Sequence, residues 1–420
     1  MKVLGGRDED VVLGAVESAD SGLVIAGRSQ GSSPIRFGAL LVKFDRAGNC
    51  EWMRKLGGAK DDIAYNLVQT ADSGLVITGT TQSYGVGNGD VLLTKFNPAG
   101  DHLWTRTLGG AEYDGGYSLV QSSDGALVVA GWTKSFGSGA PDVLLSKLDA
   151  KGGHLWTRIL GGVRGDYALS LIQTTDKGFV VTGYTQSYGA GSSDVLLCKF
   201  DSNGNHVWTR VFGGPGWDQG RWVIQTIDGG IAVTGETDSF GPGDKDMFLS
   251  KFDAKGNHLW TRTLGVKDDD SGYSLVQARD GTILVTGWTG VSGGGYVGDV
   301  LFSKFDNEGQ HIRTQTLGGP GWDKGLCIIQ TSDGGFVVGG GSTSYGGGDP
   351  DVLLVKFDSS GNGCTGSPQV PASKYVNPTI TVPRPMTQFH TPGLKSPVPA
   401  IVAPLRTTKT VCQGNESGRK

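Results

Sequence analysis

KFDSNGNHVWTR, residues 199–210, is nearly rewritten 52 residues later as KFDAKGNHLWTR, residues 251–262. Its opening lysine recurs at Lys43, Lys95, Lys147, Lys199, Lys251, Lys304 and Lys356, so the spacing is 52 residues five times and 53 once. A unit copied at constant spacing buries its apolar faces against its own copies, and the repeat therefore decides the architecture before any single residue does. The one extra residue falls in GVSGGGYVG (290–298), a glycine-rich stretch where insertion costs little.

Within a unit, four short runs rich in β-branched and aromatic residues are separated by turn signals, as in YALSLIQT, GFVVTGYT, DVLLCKFD and HVWTRVFG of the fourth copy. We read these as antiparallel strands a to d. Strands a and b meet at TTDKGF, and strands c and d at DSNGN, where a glycine supplies positive φ. Strand c is apolar on both faces, with Val195 and Leu197 opposed to Leu196 and Phe200, so each sheet is covered on both sides. Seven four-stranded sheets, each sandwiched by two neighbours, describe an all-β, seven-bladed β-propeller over residues 1–364. The seventh unit runs out after strand c into SSGNGCTGSP, while the N-terminal KVLGG matches the RTLGG of strand d. The N-terminal segment is thus expected to supply the outer strand of the last blade, with Lys2 in the arginine position and no matching tryptophan.

The KFDxxGNxxWTR hairpin resembles that of quinoprotein-type propeller repeats, and the unit is similar in length to kelch repeats. The TADSG and TTDKG turns resemble the Asp-box hairpin of sialidase-like propellers, without the tryptophan that follows there. The whole is similar to glycine-rich tandem-repeat propellers of secreted bacterial and archaeal proteins. That resemblance implies an extracytoplasmic location and carries no catalytic set with it.

Composition narrows the function further. Glycine numbers 72 of 420 residues, as tight turns demand, and a net charge of −4 without any Lys/Arg run argues against nucleic acid. Apolar runs such as GLVIAG are far too short to span a bilayer as a helix, and MKVLGGRDED has no apolar signal core. Five cysteines (Cys50, Cys198, Cys327, Cys364 and Cys412) show no metal-ligand spacing, and a Cys364–Cys412 bridge is conceivable. Residues 365–420 are a different material: nine of the 16 prolines and seven Lys/Arg against Glu416 alone, a basic extended tail or linker. NES at 415–417 fits a glycosylation sequon.

Residues repeated in every copy read as scaffold. The a–b turn aspartates (Asp176 and counterparts) accept backbone N–H groups and lie within reach of the strand-c lysines. Trp208 and Arg210, with their counterparts, share one face of strand d and seal the seam between blades, whereas the sixth unit changes both, to Arg313 and Gln315, and is expected to pack differently. Five histidines, among them His206, are too far apart on outer strands to share an ion. Asp10, Asp62, Asp114, Asp166, Asp218, Asp270 and Asp323 precede strand a, and a second set including Asp90, Asp142, Asp194 and Asp351 precedes strand c. These acids either cap loops or ligate calcium with the help of loop carbonyls; no other cofactor is expected.

Specificity belongs where the copies differ, in the d–a and b–c loops on one face. There Trp217 and Trp322 stand in d–a loops, and the residue after the strand-b glycine runs Arg28, Thr80, Trp132, Tyr184, Glu236, Trp288, Gly341. Tyr84, Phe136, Tyr188, Phe240 and Tyr345 add aromatics, either for binding or for packing the loops together. Trp132, Tyr184, Trp217, Glu236, Trp288 and Trp322 are the ligand-binding candidates, for a protein or a glycan. The alternative is a carbohydrate-active hydrolase using Glu236 and Asp238 as its carboxyl pair, since no P-loop, GxSxG or HExxH motif is present.

Overall fold

Turn chemistry sets the hairpins. In a computed structural model, residues 1–363 are described apart from 6–7, 32–36, 242–243, 266–267, 291–297 and 348, together with the backbone of 408–410. All seven c–d turns place their glycine at positive φ (Gly204 at 77°), while the a–b turns use Gly125, Gly229, Gly281 and Gly334 in four copies and Ser21, Ser73 and Lys177 in the other three. The fourth blade shows the result: strands Asp166–Gln173, Phe179–Thr185, Asp194–Phe200 and His206–Phe212, antiparallel in sequence order.

Seven such sheets form. Their first strands contact one another in sequence, and the first strand of blade 1 (Asp10–Glu17) meets that of blade 7 (Asp323–Gln330), so the ring closes with strand a innermost. The closing strand, Lys2–Leu4, pairs antiparallel with Asp351–Phe357 of blade 7, Lys2 opposite Leu354 and Leu4 opposite Val352, as the terminal sequences predict. No helix is found among the described residues, and hence none long and apolar enough to cross a membrane. The core is a succession of seam clusters, for instance Val180, Leu197, Ile231 and Phe252 between blades 4 and 5, with Trp208 packed against them.

Each seam repeats one device. The indole of Trp208 lies on Gly256 in the c–d turn of the next blade, and Arg210 stacks over it at 5.2 Å while donating from Nε to the Gly256 carbonyl at 2.8 Å. The pairs Trp52–Arg54, Trp104–Arg106, Trp156–Arg158 and Trp260–Arg262 do the same. The seam after blade 6 differs as expected: Arg313 reaches Asn362 and Ser360 instead, and Phe302, where other blades have leucine, stacks on Phe357 at 4.2 Å and 8°. All seven lysine–aspartate rim pairs form, Lys147–Asp124 at 2.7 Å and Lys199–Asp176 at 2.8 Å among them. The histidines are packed, His206 sharing a 2.8 Å hydrogen bond with Thr209 and meeting Phe200 edge-on.

Cys198 and Cys327 are buried free thiols, and Cys50 is disulfide-bonded. Cys364, Cys412, the sequon and the proline-rich tail lie outside the described residues, save that Thr408–Thr410 pairs as a fifth strand with Lys55, Arg54 and Met53 of blade 1.

Candidate functional site

The innermost strand is irregular in every blade. Strand a carries one residue more than its partner, between Ala168 and Ser170 in blade 4 and at the same place in all the others. Such a bulge re-aims side chains. It also explains the invariant strand-b glycine: a Cβ at Gly183 would run into the carbonyl of Tyr167 on the bulged strand. The extra residues are Leu13, Tyr65, Tyr117, Leu169, Arg221, Tyr273 and Leu326, all partly exposed on the ring of first strands. One level nearer the loop face stand the cross-strand pairs that include Gly115–Trp132, Tyr167–Tyr184, Gln219–Glu236, Ser271–Trp288 and Lys324–Gly341. The bulge residues and Trp132, Tyr184, Trp288 and Lys324 are part-exposed at the axial mouth, whereas Gln219, Glu236 and Ser271 are buried behind them.

The mouth is lopsided. On blades 2 to 4, Tyr65 stacks on Tyr117 and Tyr167 on Tyr184, each with centroids 4.4 Å apart. Trp132 meets Tyr167 edge-on at 5.6 Å, and Tyr184 meets Trp217 at the same distance. Next to them on blade 5, Arg221 donates to Glu236 at 2.9 Å and lies 5.0 Å over Tyr273 of blade 6, while Ser271 donates to the other Glu236 oxygen. The Lys324 ammonium sits 4.3 Å over Trp288 and 4.8 Å over Trp322. Burial opposes the charge of Glu236, but Arg221 prevails and holds its carboxyl below the usual range. Burial among the indoles pulls the Lys324 ammonium down to about 8. Arg28 pairs with Glu9 and lies over Phe37, adding a third charged station.

The six candidates thus form two groups. Trp132, Tyr184 and Trp217 are joined through Tyr167, whereas Glu236, Trp288 and Trp322 surround Arg221 and Lys324. Sequence reasoning missed Tyr65, Tyr117, Tyr167, Arg221, Tyr273 and Lys324, although the fourth residue of strand a varies (Tyr117, Leu169, Arg221, Tyr273) inside a constant frame. The b–c tyrosines are packing residues: Tyr84, Tyr188 and Tyr345 donate to the carbonyls of Gly57, Gly161 and Gly318.

The acidic sets act as loop clamps. Asp166 accepts from Gly162 N–H at 2.7 Å and from Ser187 and Thr185 hydroxyls, and Asp62, Asp114, Asp218 and Asp323 accept from Gly58, Gly110, Gly214 and Gly319. The strand-c set holds the b–c loop, as Asp142 does through Ser138 N–H at 2.7 Å. The two sets approach each other at the strand-d glycine, where a Cβ on Gly109 would touch both Asp90 and Asp114. Burial, with repulsion from Asp114, pushes the Asp90 carboxyl up to about 7. Among the described residues no three His, Cys, Asp or Glu side chains converge as a metal would require. Asp10 and Asp270 belong to the same set and open their strands in the same register.

No protein-family description matches the chain. Regulatory protein FlaEY of Caulobacter vibrioides is 30% identical over 194 residues, 40% of this chain and only 20% of its own length. The chain therefore spans about a fifth of that relative. Among solved structures, the Pan2 WD40 domain of Neurospora crassa superposes with a TM-score of 0.51 at 12% identity, covering 88% of this chain and 99% of that one. Polysaccharide lyase Uly1 gives 0.50 at 10% identity, covering 83% and 90%. A copper-bound fungal alcohol oxidase of the AA5 family gives 0.50 at 14% identity, covering 86% and 77%. At such identities these likenesses show the propeller fold and nothing of the chemistry.

Proposed function

We propose that this propeller is a non-catalytic recognition module that binds a glycan, or a protein presenting comparable chemistry, at its axial mouth. The observation that carries the reading is the uneven lining: a connected aromatic surface from Trp132 to Trp217 that runs into a fixed Arg221–Glu236 pair on blade 5, with the Lys324 ammonium on blade 7. Flat rings on strands stack on sugar faces or apolar side chains at small entropic cost, while the charged side supplies directional hydrogen bonds. The partial likeness to a protein named as regulatory is in keeping with binding rather than turnover. The hydrolase reading has no comparable support, because Glu236, tied to Arg221 and Ser271 and held ionised, is ill suited to give up a proton. An extracytoplasmic location is part of the proposal, resting on the resemblance of the repeat to propellers of secreted proteins. No cofactor is invoked, and calcium at the loop aspartates is not needed for the mouth.

A glycan array probed alongside co-purification tests this. We expect retention of a defined glycan class or one polypeptide, lost at least tenfold in Tyr167→Ala and Trp217→Ala with the fold intact. Release of reducing sugar that disappears in Glu236→Gln would overturn the non-catalytic reading.

A further inference from the structure

At the mouth each ion pair turns its cation outward. The Arg221 side chain is 28% exposed and that of its partner Glu236 5%; for Arg28 and Glu9 the figures are 34% and 22%. The Lys324 ammonium, lying on its two indoles, belongs to a side chain that is also partly exposed. The ring as a whole carries more acid than base, so this cationic lining is local to the mouth. Charges of both signs stand on the loops of the same face, Asp238 and Lys245 after strand b of blade 5 and Asp269 before strand a of blade 6, at the rim rather than on the innermost strands.

The inner cations flank the aromatic arc. Arg28 lies close enough to Tyr65 of blade 2, and Arg221 to Tyr184 of blade 4, for its charge to act on the phenol. Arg221 also acts on Lys324, together with Glu236, Lys245 and Asp269. A ligand stacked along blades 2 to 4 therefore meets a positive charge at either end of the aromatic surface and a further one beyond Arg221. Covering the mouth with a neutral sugar would strip water from these cations with only hydroxyl dipoles in return. A carboxylate or sulfate would return charge-assisted hydrogen bonds instead, bidentate where it meets a guanidinium.

We infer that the ligand of this mouth is an acidic glycan, its sugar faces stacked on the tyrosines and tryptophans of blades 2 to 4 and its carboxylate or sulfate groups held by Arg28, Arg221 and Lys324. The inference rests on the recognition role proposed above and names the ligand class. Flat rings give the neutral part of the sugar its contact area, and the flanking cations make the choice between charged and uncharged chains.

An array of uronate and sulfated oligosaccharides, each printed beside its carboxyl-reduced or desulfated counterpart, tests this on the full-length protein. Acidic members should be retained at least tenfold more tightly than their neutral counterparts, with the difference shrinking as salt is raised. Lys324→Met, which keeps the stem between Trp288 and Trp322, should weaken acidic binding at least tenfold, whereas Lys324→Arg should keep most of it; thermal melting of each variant reports on the fold. Retention of uronates alone identifies a carboxylate ligand, and of sulfated members alone a sulfate. Equal retention of acidic and neutral counterparts, still lost in Tyr167→Ala, overturns the acidic class and leaves the recognition role standing, as does capture of a polypeptide with no glycan. Acidic binding that is insensitive to salt and undiminished in a folded Lys324→Met also overturns the inference, and retention of nothing at all overturns it together with the recognition role.

Discussion

Lys177 holds φ at 66° where four of the other copies place glycine. A side chain there costs roughly 1 kcal/mol, so Lys177→Gly should stabilise the protein by up to that amount, seen as a higher urea midpoint at unchanged slope. Charge gives a second prediction. The folded state keeps a proton on Asp90 up to about pH 7 that the unfolded chain releases near pH 4, so this group lowers stability as pH rises from about 4 to 7. Asp72 and Asp124, held at about 2 by hydrogen bonds from Lys95 and Lys147, lose their contribution only as pH falls below about 4. Asp90→Asn, which keeps an acceptor for Val86 N–H, should therefore gain about 1–2 kcal/mol at pH 8 and nothing at pH 4 in denaturant titrations. Gly38 at the same place in blade 1 shows that the seam tolerates loss of that carboxylate. The carboxylates were legible in the sequence because the rim aspartates recur in all seven copies and the Asp90 position in six. Lys324 was not: its neighbours Trp288 and Trp322 come from different blades, and no local pattern announces their meeting.

Strands rather than residues explain what the mouth presents. The strand-a bulge and the strand-b glycine are one device, and Gly235→Ala would push its Cβ into the Gln219 carbonyl beside the bulge that aims Arg221. We expect a loss of about 2–4 kcal/mol, with weakened ligand binding in whatever fraction folds, measured by thermal melting and the array signal together. At the seam after blade 6, Phe302→Leu should cost about 1–2 kcal/mol, and adding Arg313→Trp should recover much of it by restoring the arrangement of the other seams. The four strands and their order could be read from alternating runs and turn residues. An extra residue inside a run leaves the pattern of types unchanged and only shifts its phase, which is why the bulge, and with it half of the mouth, escaped notice.

For the whole molecule, periodicity and the two unmatched ends were enough to give blade number and closure, since seven doubly apolar sheets leave no face bare only in a ring. What periodicity cannot convey is asymmetry across the axis, for that depends on which variable residues stand opposite one another. Removing Met1–Leu4 should speed amide exchange across Asp351–Phe357 by at least tenfold while strand c of blade 4 is unaffected.

Six outer strands are tied to their own sheet by a hairpin, but the seventh is held by only three paired residues at the chain's far end. Mechanically the molecule is a bracelet whose clasp is its least secured link. Tension between the two termini would load the three-residue pairings of Lys2–Leu4 and Thr408–Thr410 before any hairpin, and loss of the first would leave six complete blades and one three-stranded sheet in an open arc.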